Sequence, residues 1–210
     1  MVFNPMFAAR GLDHVMVPMS VPPDSLKAAI DGLRGTSNFG GMAVTIPHKM
    51  ELAKLCDTLG PTAQLTGAVN AVRFDPDGTI HGDNFDGEGF VEGLRQSGYD
   101  PAGRTVLMVG AGGAARAIAL ALCGAGVERL LIRNRTPDKA RAIVDELARL
   151  GGHRQVEAAP DHDGGDVDMI VNTTSLGLHE GEALPLPLAP VRADTLIAEI
   201  IMVCLLYTSD

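Results

Sequence analysis

The chain has 210 residues, of which 46% are hydrophobic and 20% charged, and its formal net charge at pH 7 is -9. This composition excludes a disordered chain, and the length allows one large domain or two small ones, each with its own core. The acidic balance argues against a nucleic-acid-binding protein, so an anionic ligand would have to be held by local groups.

The cysteine and histidine residues show no disulfide framework and no metal-site pattern. The three cysteines, Cys56, Cys123 and Cys204, are odd in number and far apart, and no CxxC pair occurs. The six histidines lack metal-ligand spacing. The longest apolar runs are too short to span a bilayer, and no basic-then-apolar leader opens the chain. We therefore expect a cytoplasmic protein without membrane partners.

The first hundred residues alternate between strand-like and helix-like patterns, with turn residues between them. In chain order the sequence predicts a helix at the start, a strand over 12–19, a helix opened by Pro22, a strand over 41–46, a helix over 48–60, two strands over 67–74 and 79–84 joined by a turn at Gly78, and a helix over 86–98.

The second half is a more regular strand–helix series. The turn-rich stretch 99–105 predicts a boundary between two domains, residues 1–100 and 101–202. Regular alternation of strands and helices implies a parallel sheet with helices on both faces, so the predicted fold class is α/β. The predicted elements are strands over 105–110, 129–134, 155–159, 168–172 and 195–201, with helices over 113–125 and 137–150.

Residues 105–122, TVLMVGAGGAARAIALAL, carry a glycine-rich turn between a strand and a helix. Gly110, Ala111, Gly112 and Gly113 let the backbone turn tightly and approach a pyrophosphate, and the following helix supplies free N–H groups and its positive dipole end. A glycine motif in this strand–turn–helix setting predicts dinucleotide binding.

The end of the next strand indicates which dinucleotide is bound. NAD enzymes place an acidic residue there for the ribose 2′-hydroxyl, whereas this chain has IRNRTPDKA. Arg133, Arg135, Thr136 and Lys139 surround the place of a 2′-phosphate, and arginine can bind phosphate through two N–H groups. The pattern favours NADP, although Thr136 is also a good N-cap for a helix that begins at Pro137.

The stretch GMAVTIPHKMEL, residues 41–52, presents a lysine just after a predicted strand. A solvated lysine is the simpler interpretation. Hydride transfer, however, leaves a proton to the protein, and Lys49 can donate or accept that proton. Asp83 and Asp86 follow a later strand and can supply the carboxylate that orients the ammonium. Asp86 also fits an N-cap of the helix beginning at Gly87.

Six stretches taken together resemble the shikimate 5-dehydrogenase family. AVTIPHK resembles its Asn-Val-Thr-x-Pro-x-Lys signature, GAVNAV its Gly-Ala-x-Asn-Thr motif, and GDNFDGEGF its Gly-x-Asn-Thr-Asp-Gly motif. GAGGAARAI, NRTPDKA and VNTTSLGL resemble its cofactor loop, its NADP-selecting strand end and its nicotinamide-side loop. The motifs follow the family's order from about residue 3 to about residue 202.

The resemblance implies an N-terminal α/β substrate-binding domain, a C-terminal Rossmann-type NADP-binding domain and the NADPH-dependent reduction of 3-dehydroshikimate to shikimate, within chorismate and aromatic amino acid biosynthesis. It implies a small-molecule substrate, no nucleic acid, and a homodimer as one form of assembly. The implied roles are Lys49 and Asp86 in catalysis; Thr45, Asn70, Asp86 and Met202 in substrate binding; and Gly110, Ala111, Gly112, Gly113, Ala114, Asn134, Arg135, Thr136, Lys139, Thr173, Ser175 and Ile200 in cofactor binding.

The chain also departs from the family pattern. Ala43 replaces an asparagine, Ala71 and Phe85 replace threonines, and Met202 stands where the family has a tyrosine. These losses of polar groups leave open a paralogue that acts on quinate or another hydroxylated ring acid. A different lysine-dependent enzyme, such as a methylene-tetrahydrofolate dehydrogenase, is a weaker alternative, because RNRT and GDNFDG argue against it.

Both ends of the sequence suggest an incomplete chain. The family's first strand and its Ser-x-Ser pair would precede Met1, and its substrate-binding glutamine and returning helix would follow Met202. The closing residues 203–210, VCLLYTSD, are expected to be a tail foreign to the parent protein. A module that binds NADP without catalysis is therefore a further alternative.

Overall fold

The structure is a computed structural model that describes residues 2–150, 155–177, 179 and 181–201. Its helices are α1 (Phe3–Ala9), α2 (Leu26–Arg34), α3 (Lys49–Ala53), α4 (Pro61–Thr66), α5 (Asp86–Gln96), α6 (Gly113–Gly124) and α7 (Pro137–Arg149). Its strands are β1 (Gly41–Ala43), β2 (Thr58–Leu59), β3 (Ala71–Phe74), β4 (Ile80–Asp83), β5 (Thr105–Val109), β6 (Arg129–Arg133), β7 (Val156–Ala158), β8 (Met169–Asn172) and β9 (Leu196–Glu199).

The first sheet has the strand order β1-β3-β4-β2 and mixes two directions. β3 pairs antiparallel with β1 and with β4, and β2 pairs parallel with β4. The predicted hairpin is confirmed, and Gly78 in its turn has a φ of +85°, which side chains rarely adopt. One core lies between this sheet and helices α2, α3 and α4.

The second sheet is entirely parallel, with the order β7-β6-β5-β8-β9. Its central strands are buried on both faces, which explains their nearly continuous apolar sequences. The chain winds from β5 outward to β7 and then restarts on the other side of β5 at β8. The crevice at the carboxyl ends of β5 and β8 is therefore a topological switch point, where ligands bind in open α/β sheets.

The two faces of the parallel sheet are covered differently. α5, α6 and α7 pack on one face. On the other face, the described residues that cover the sheet belong to irregular segments, such as Val167, Leu186 and Val191. The α/β fold class is confirmed, whereas the expectation of helices on both faces is wrong for the described residues. Proline is frequent in the segment 184–191, and it disfavours helix there.

Two further sequence predictions in the first half are wrong. The helix predicted over 48–60 ends at Ala53, and Thr58 and Leu59 instead pair with β4, because Asp57 accepts a hydrogen bond from the Ile80 backbone N–H and directs the chain along that strand. The strand-like residues 12–19 form no ladder with any described strand, and Val15 and Val17 are exposed. Alternating apolar residues cannot form a sheet without a partner strand.

The start of α5 lies unusually close to α6. Gly87 is buried, and a Cβ atom added there would lie 2.1 Å from the Ala117 carbonyl oxygen. Only glycine permits this approach of two helix backbones. The contact joins the residue next to Asp86 to the first turns of the helix that follows the glycine-rich turn.

No helix among the described residues is long and apolar enough to cross a membrane.

We expect Gly87→Ala to destabilise the protein by about 1–3 kcal/mol, because the added methyl group overlaps backbone atoms that cannot move aside cheaply. The matched control is Gly89→Ala on the same helix, where a Cβ atom meets nothing within 4 Å. That control should increase stability by about 0.5–1 kcal/mol, since alanine is the better helix former. Urea denaturation of both variants measures the difference, and equal stabilities would contradict the close approach.

Candidate active site

Lys49, Asp86 and Asn70 form a connected polar cluster. Lys49 Nζ donates to Asp86 Oδ2 at 2.6 Å, and Asn70 Nδ2 donates to Asp86 Oδ1 at 2.7 Å. The Lys49 and Asp86 side chains are 26% and 37% exposed, so solvent screens the pair only in part while a small molecule can still reach it. The structure thus brings together three predicted site residues that are separated by 16 to 37 positions in the sequence.

Backbone hydrogen bonds hold this cluster in place. Asn70 Oδ1 accepts from the Phe85 N–H at 2.9 Å, which fixes which end of the Asn70 amide faces Asp86. The buried Asn84 accepts the Asp86 N–H at 3.0 Å. Helix α5 begins at Asp86 itself, and the Asp86 carboxylate points to Lys49 and Asn70. The alternative of Asp86 as an N-cap is therefore wrong.

The side chains of Asp83 and Thr45, two further predicted residues, form no hydrogen bond with this cluster. Asp83 Oδ1 accepts the Ala63 N–H at 2.9 Å, so this carboxylate stabilises the start of α4 and does not orient Lys49. Thr45 lies in the turn between β1 and α3 with an exposed side chain, and its hydroxyl makes no hydrogen bond to another described residue. Met202 lies outside the described residues.

The glycine-rich turn connects β5 to α6 as the sequence predicts. Gly110 has a φ of +116°, and a Cβ atom there would lie 2.4 Å from Thr173 Oγ1, so both conformation and space require glycine. Gly112 and Gly113 have nothing within 4 Å of an added Cβ atom, which leaves open space above the helix start. Ala111 and Ala114 are half-buried beside them.

Predicted phosphate ligands gather at the end of β6. Arg135, Thr136 and Lys139 are exposed, and neither cation forms an ion pair within the described part of the chain. Thr136 stands at the N-cap of α7, but its hydroxyl makes no capping hydrogen bond, while Asn134 Nδ2 donates to its carbonyl oxygen. Arg133 instead donates to the His162 carbonyl oxygen, so it is held away from this group.

Sequence reasoning missed two residues at the carboxyl ends of β8 and β9. Asn172 is fully buried and donates to Glu199 Oε2 at 2.6 Å. Three predicted cofactor residues lie in the same two segments of the chain. Thr173 donates its hydroxyl to the Val109 carbonyl oxygen, and Ser175 is exposed. The Ile200 N–H donates to Glu199 Oε1. A polar residue at the end of an otherwise apolar buried strand was the available signal for Asn172.

Other chemistries receive no support from the described residues. Burial raises the pKa of the Cys123 thiol to about 12 and also raises the pKa of the Cys56 thiol, so neither offers a thiolate nucleophile at neutral pH. Among these residues, no group of three or more His, Cys, Asp or Glu side chains is placed to hold a metal ion.

Two family models match the chain. Residues 1–72 match the shikimate dehydrogenase substrate binding domain, and residues 94–162 match shikimate / quinate 5-dehydrogenase. Residues 41–52 with Lys49 fall within the first match, and the glycine-rich turn and the phosphate-ligand group fall within the second.

Curated and solved relatives agree with these matches. The chain is 44% identical over 191 residues to a shikimate dehydrogenase (NADP(+)) of Rubrobacter xylanophilus, covering 88% of this chain and 65% of that protein. It is 40% identical over 212 residues to the enzyme of the same name from Methanopyrus kandleri, covering 97% of this chain and 71% of that protein. The chain thus spans about two thirds of the length of these relatives.

A solved structure extends the likeness to three dimensions. Shikimate 5-dehydrogenase of Thermus thermophilus, in complex with NADP(H) and shikimate, is 31% identical and superposes with a TM-score of 0.77. The matched region covers 92% of this chain and 69% of that one. The motifs, the geometry of the site and these matches agree, and the chain belongs to the shikimate dehydrogenase family.

Proposed function

We propose that the protein carrying this chain reduces 3-dehydroshikimate to shikimate with NADPH, in the pathway to chorismate and the aromatic amino acids. The observation that supports this most directly is the hydrogen-bonded cluster of Lys49, Asp86 and Asn70, in a chain of the shikimate dehydrogenase family. The close approach of Gly87 to Ala117 places the same cluster beside the helix that the glycine-rich turn opens.

The residues present fit a dinucleotide with a 2′-phosphate. The open space at Gly112 and Gly113 leaves room for a pyrophosphate against the free N–H groups of α6. Arg135, Lys139 and the unused hydroxyl of Thr136 would hold the 2′-phosphate, with Asn134 fixing the turn that carries them. Thr173, Ser175 and Ile200 would border the nicotinamide half.

Residues of the chain itself then supply the proton of the reaction and accept it in the reverse direction. NADPH, when bound, supplies the hydride that reduces the substrate carbonyl carbon. Lys49 donates a proton from Nζ to the carbonyl oxygen as this oxygen becomes a hydroxyl, and it accepts that proton in the reverse direction. One oxygen of Asp86 accepts a hydrogen bond from Lys49 Nζ at 2.6 Å. Asp86 therefore uses only one of the three N–H donors of the Lys49 ammonium.

On the substrate side, we propose that Thr45, Asn70 and Asp86 contact the ring hydroxyl groups. Quinate or another hydroxylated ring acid is a second candidate substrate, favoured by Ala43, Ala71 and Phe85, which offer no side-chain hydrogen bonds where the family has polar groups. Phe85 has 47% of its surface exposed next to Asp86, so its ring can alter which substituents fit. We also propose that the domain boundary lies at 99–105, that the protein is cytoplasmic and that it forms a homodimer.

The Lys49→Ala variant tests the catalytic assignment. In the full protein, turnover of shikimate with NADP⁺ should fall by about 10²–10⁴-fold, because the proton donor and acceptor is lost. The affinity for NADPH, measured by calorimetry, should stay nearly unchanged. Lys54→Ala is the matched control, since Lys54 is an exposed lysine paired with Glu51 just after α3. Full activity of Lys49→Ala with shikimate and with quinate would refute the role of Lys49.

The Arg135→Ala variant tests the cofactor assignment. We expect the dissociation constant for NADP⁺ to rise about 10–100-fold, the value of one charge-assisted hydrogen bond, while that for NAD⁺ stays the same. Arg141→Ala serves as control, because Arg141 lies on α7 and is already paired with Asp138. An equal effect of Arg135→Ala on both dinucleotides would show that Arg135 does not contact the 2′-phosphate.

A further inference from the structure

The Asn172 side chain forms hydrogen bonds with two residues of the 173–177 loop, which follows β8. Its Oδ1 accepts from the Thr174 N–H at 3.0 Å and from the Thr174 hydroxyl at 2.7 Å. Its Nδ2 donates to the Leu176 carbonyl oxygen at 3.0 Å. The Thr174 hydroxyl in turn accepts the Leu176 N–H at 3.1 Å. One buried amide thus sets the course of the 173–177 loop.

Glu199 determines which way this amide faces. Its Oε2 accepts from Asn172 Nδ2 at 2.6 Å, and its Oε1 accepts from the N–H groups of Ile200 and Ile201 at 2.9 and 3.2 Å. An ionised carboxylate only accepts hydrogen bonds, so it requires the NH₂ end of Asn172 to face β9. The oxygen of the amide must then face Thr174.

The 173–177 loop borders the crevice in which the cofactor is proposed to lie. Thr173 bonds to the Val109 carbonyl oxygen through both its N–H and its hydroxyl, and its side chain touches Gly110. The loop therefore lies on the β8 side of the switch point. The phosphate ligands at the end of β6 lie on the opposite side of β5. A dinucleotide that spans β5 would place its nicotinamide half against the loop.

We propose that Glu199 is a positioning residue that holds the 173–177 loop, through the Asn172 amide, in the shape that receives the nicotinamide half of NADP. The inference rests on the proposed function, because it takes NADP as the cofactor. Neither Glu199 nor Asn172 needs to touch the cofactor, since Thr173 and Ser175 carry the contact.

Glu199→Gln separates this role from general stability. A glutamine has one oxygen, so its NH₂ group must face either Asn172 Nδ2 or the two backbone N–H groups, and donors would then oppose donors. We expect the dissociation constant for NADP⁺, measured by calorimetry on the full chain, to rise about tenfold, which is the equilibrium factor for the net contribution of one ordinary hydrogen bond. The dissociation constant for 2′,5′-ADP, which has no nicotinamide half, should remain unchanged.

Two further variants complete the test. Glu157→Gln changes an exposed glutamate on β7 that pairs with Arg129, and it should bind both ligands as the parent chain does. Thr174→Val removes one hydroxyl of the same network without changing a strand residue. It should weaken the binding of NADP⁺ but not that of 2′,5′-ADP, and it therefore replaces Glu199→Gln if that variant does not fold.

Each outcome of this experiment decides one point. Equal weakening of NADP⁺ and 2′,5′-ADP, or no weakening of either, would overturn the positioning role while leaving the proposed function intact. A parent chain that binds neither ligand would overturn the NADP assignment itself, and the role of Glu199 with it.

Discussion

The arrangement of the site depends on the close approach of α5 and α6 at Gly87 and Ala117. Asp86 begins α5, so any change in the distance between these helices would move the carboxylate that holds Lys49. α6 begins directly after the glycine-rich turn, so the same contact determines how far Asp86 and Lys49 lie from the crevice at the carboxyl ends of β5 and β8. The missing Cβ atom thus fixes the start of α5 against α6, because two helix backbones can approach this closely only where one of them carries glycine.

Two asparagines, one beside each sheet, perform the same physical task. Asn70 links Asp86 to the Phe85 backbone, and Asn172 links Glu199 to the 173–177 loop. An amide has distinct donor and acceptor ends, so a carboxylate on one side and an N–H group on the other permit a single orientation. Each carboxylate–asparagine pair therefore holds the neighbouring backbone in one arrangement.

The sequence predicted the elements whose signals are local. The hairpin with Gly78, the helix α5, the glycine-rich turn and the alternation of the parallel sheet were all recognisable, because turn residues and hydrophobic periodicity act over a few positions. The helix predicted over 48–60 is longer than the helix in the structure, because residues 58 and 59 pair with β4. The apolar alternation over 12–19 predicts a strand, but a ladder depends on a partner that the periodicity cannot reveal.

The site divides in the same way. By itself the sequence determined the chemistry available to the protein: a lysine after a strand, a carboxylate before a helix, a cationic strand end and a glycine-rich turn, all readable from residue type and spacing. Only the tertiary structure decided how these groups are used. It paired Lys49 with Asp86 and not with Asp83, bound Arg133 to the His162 carbonyl oxygen, and joined Asn172 to Glu199 across 27 positions. Hydrogen bonds between residues distant in sequence exist only once strands and helices have packed, so no local pattern encodes them.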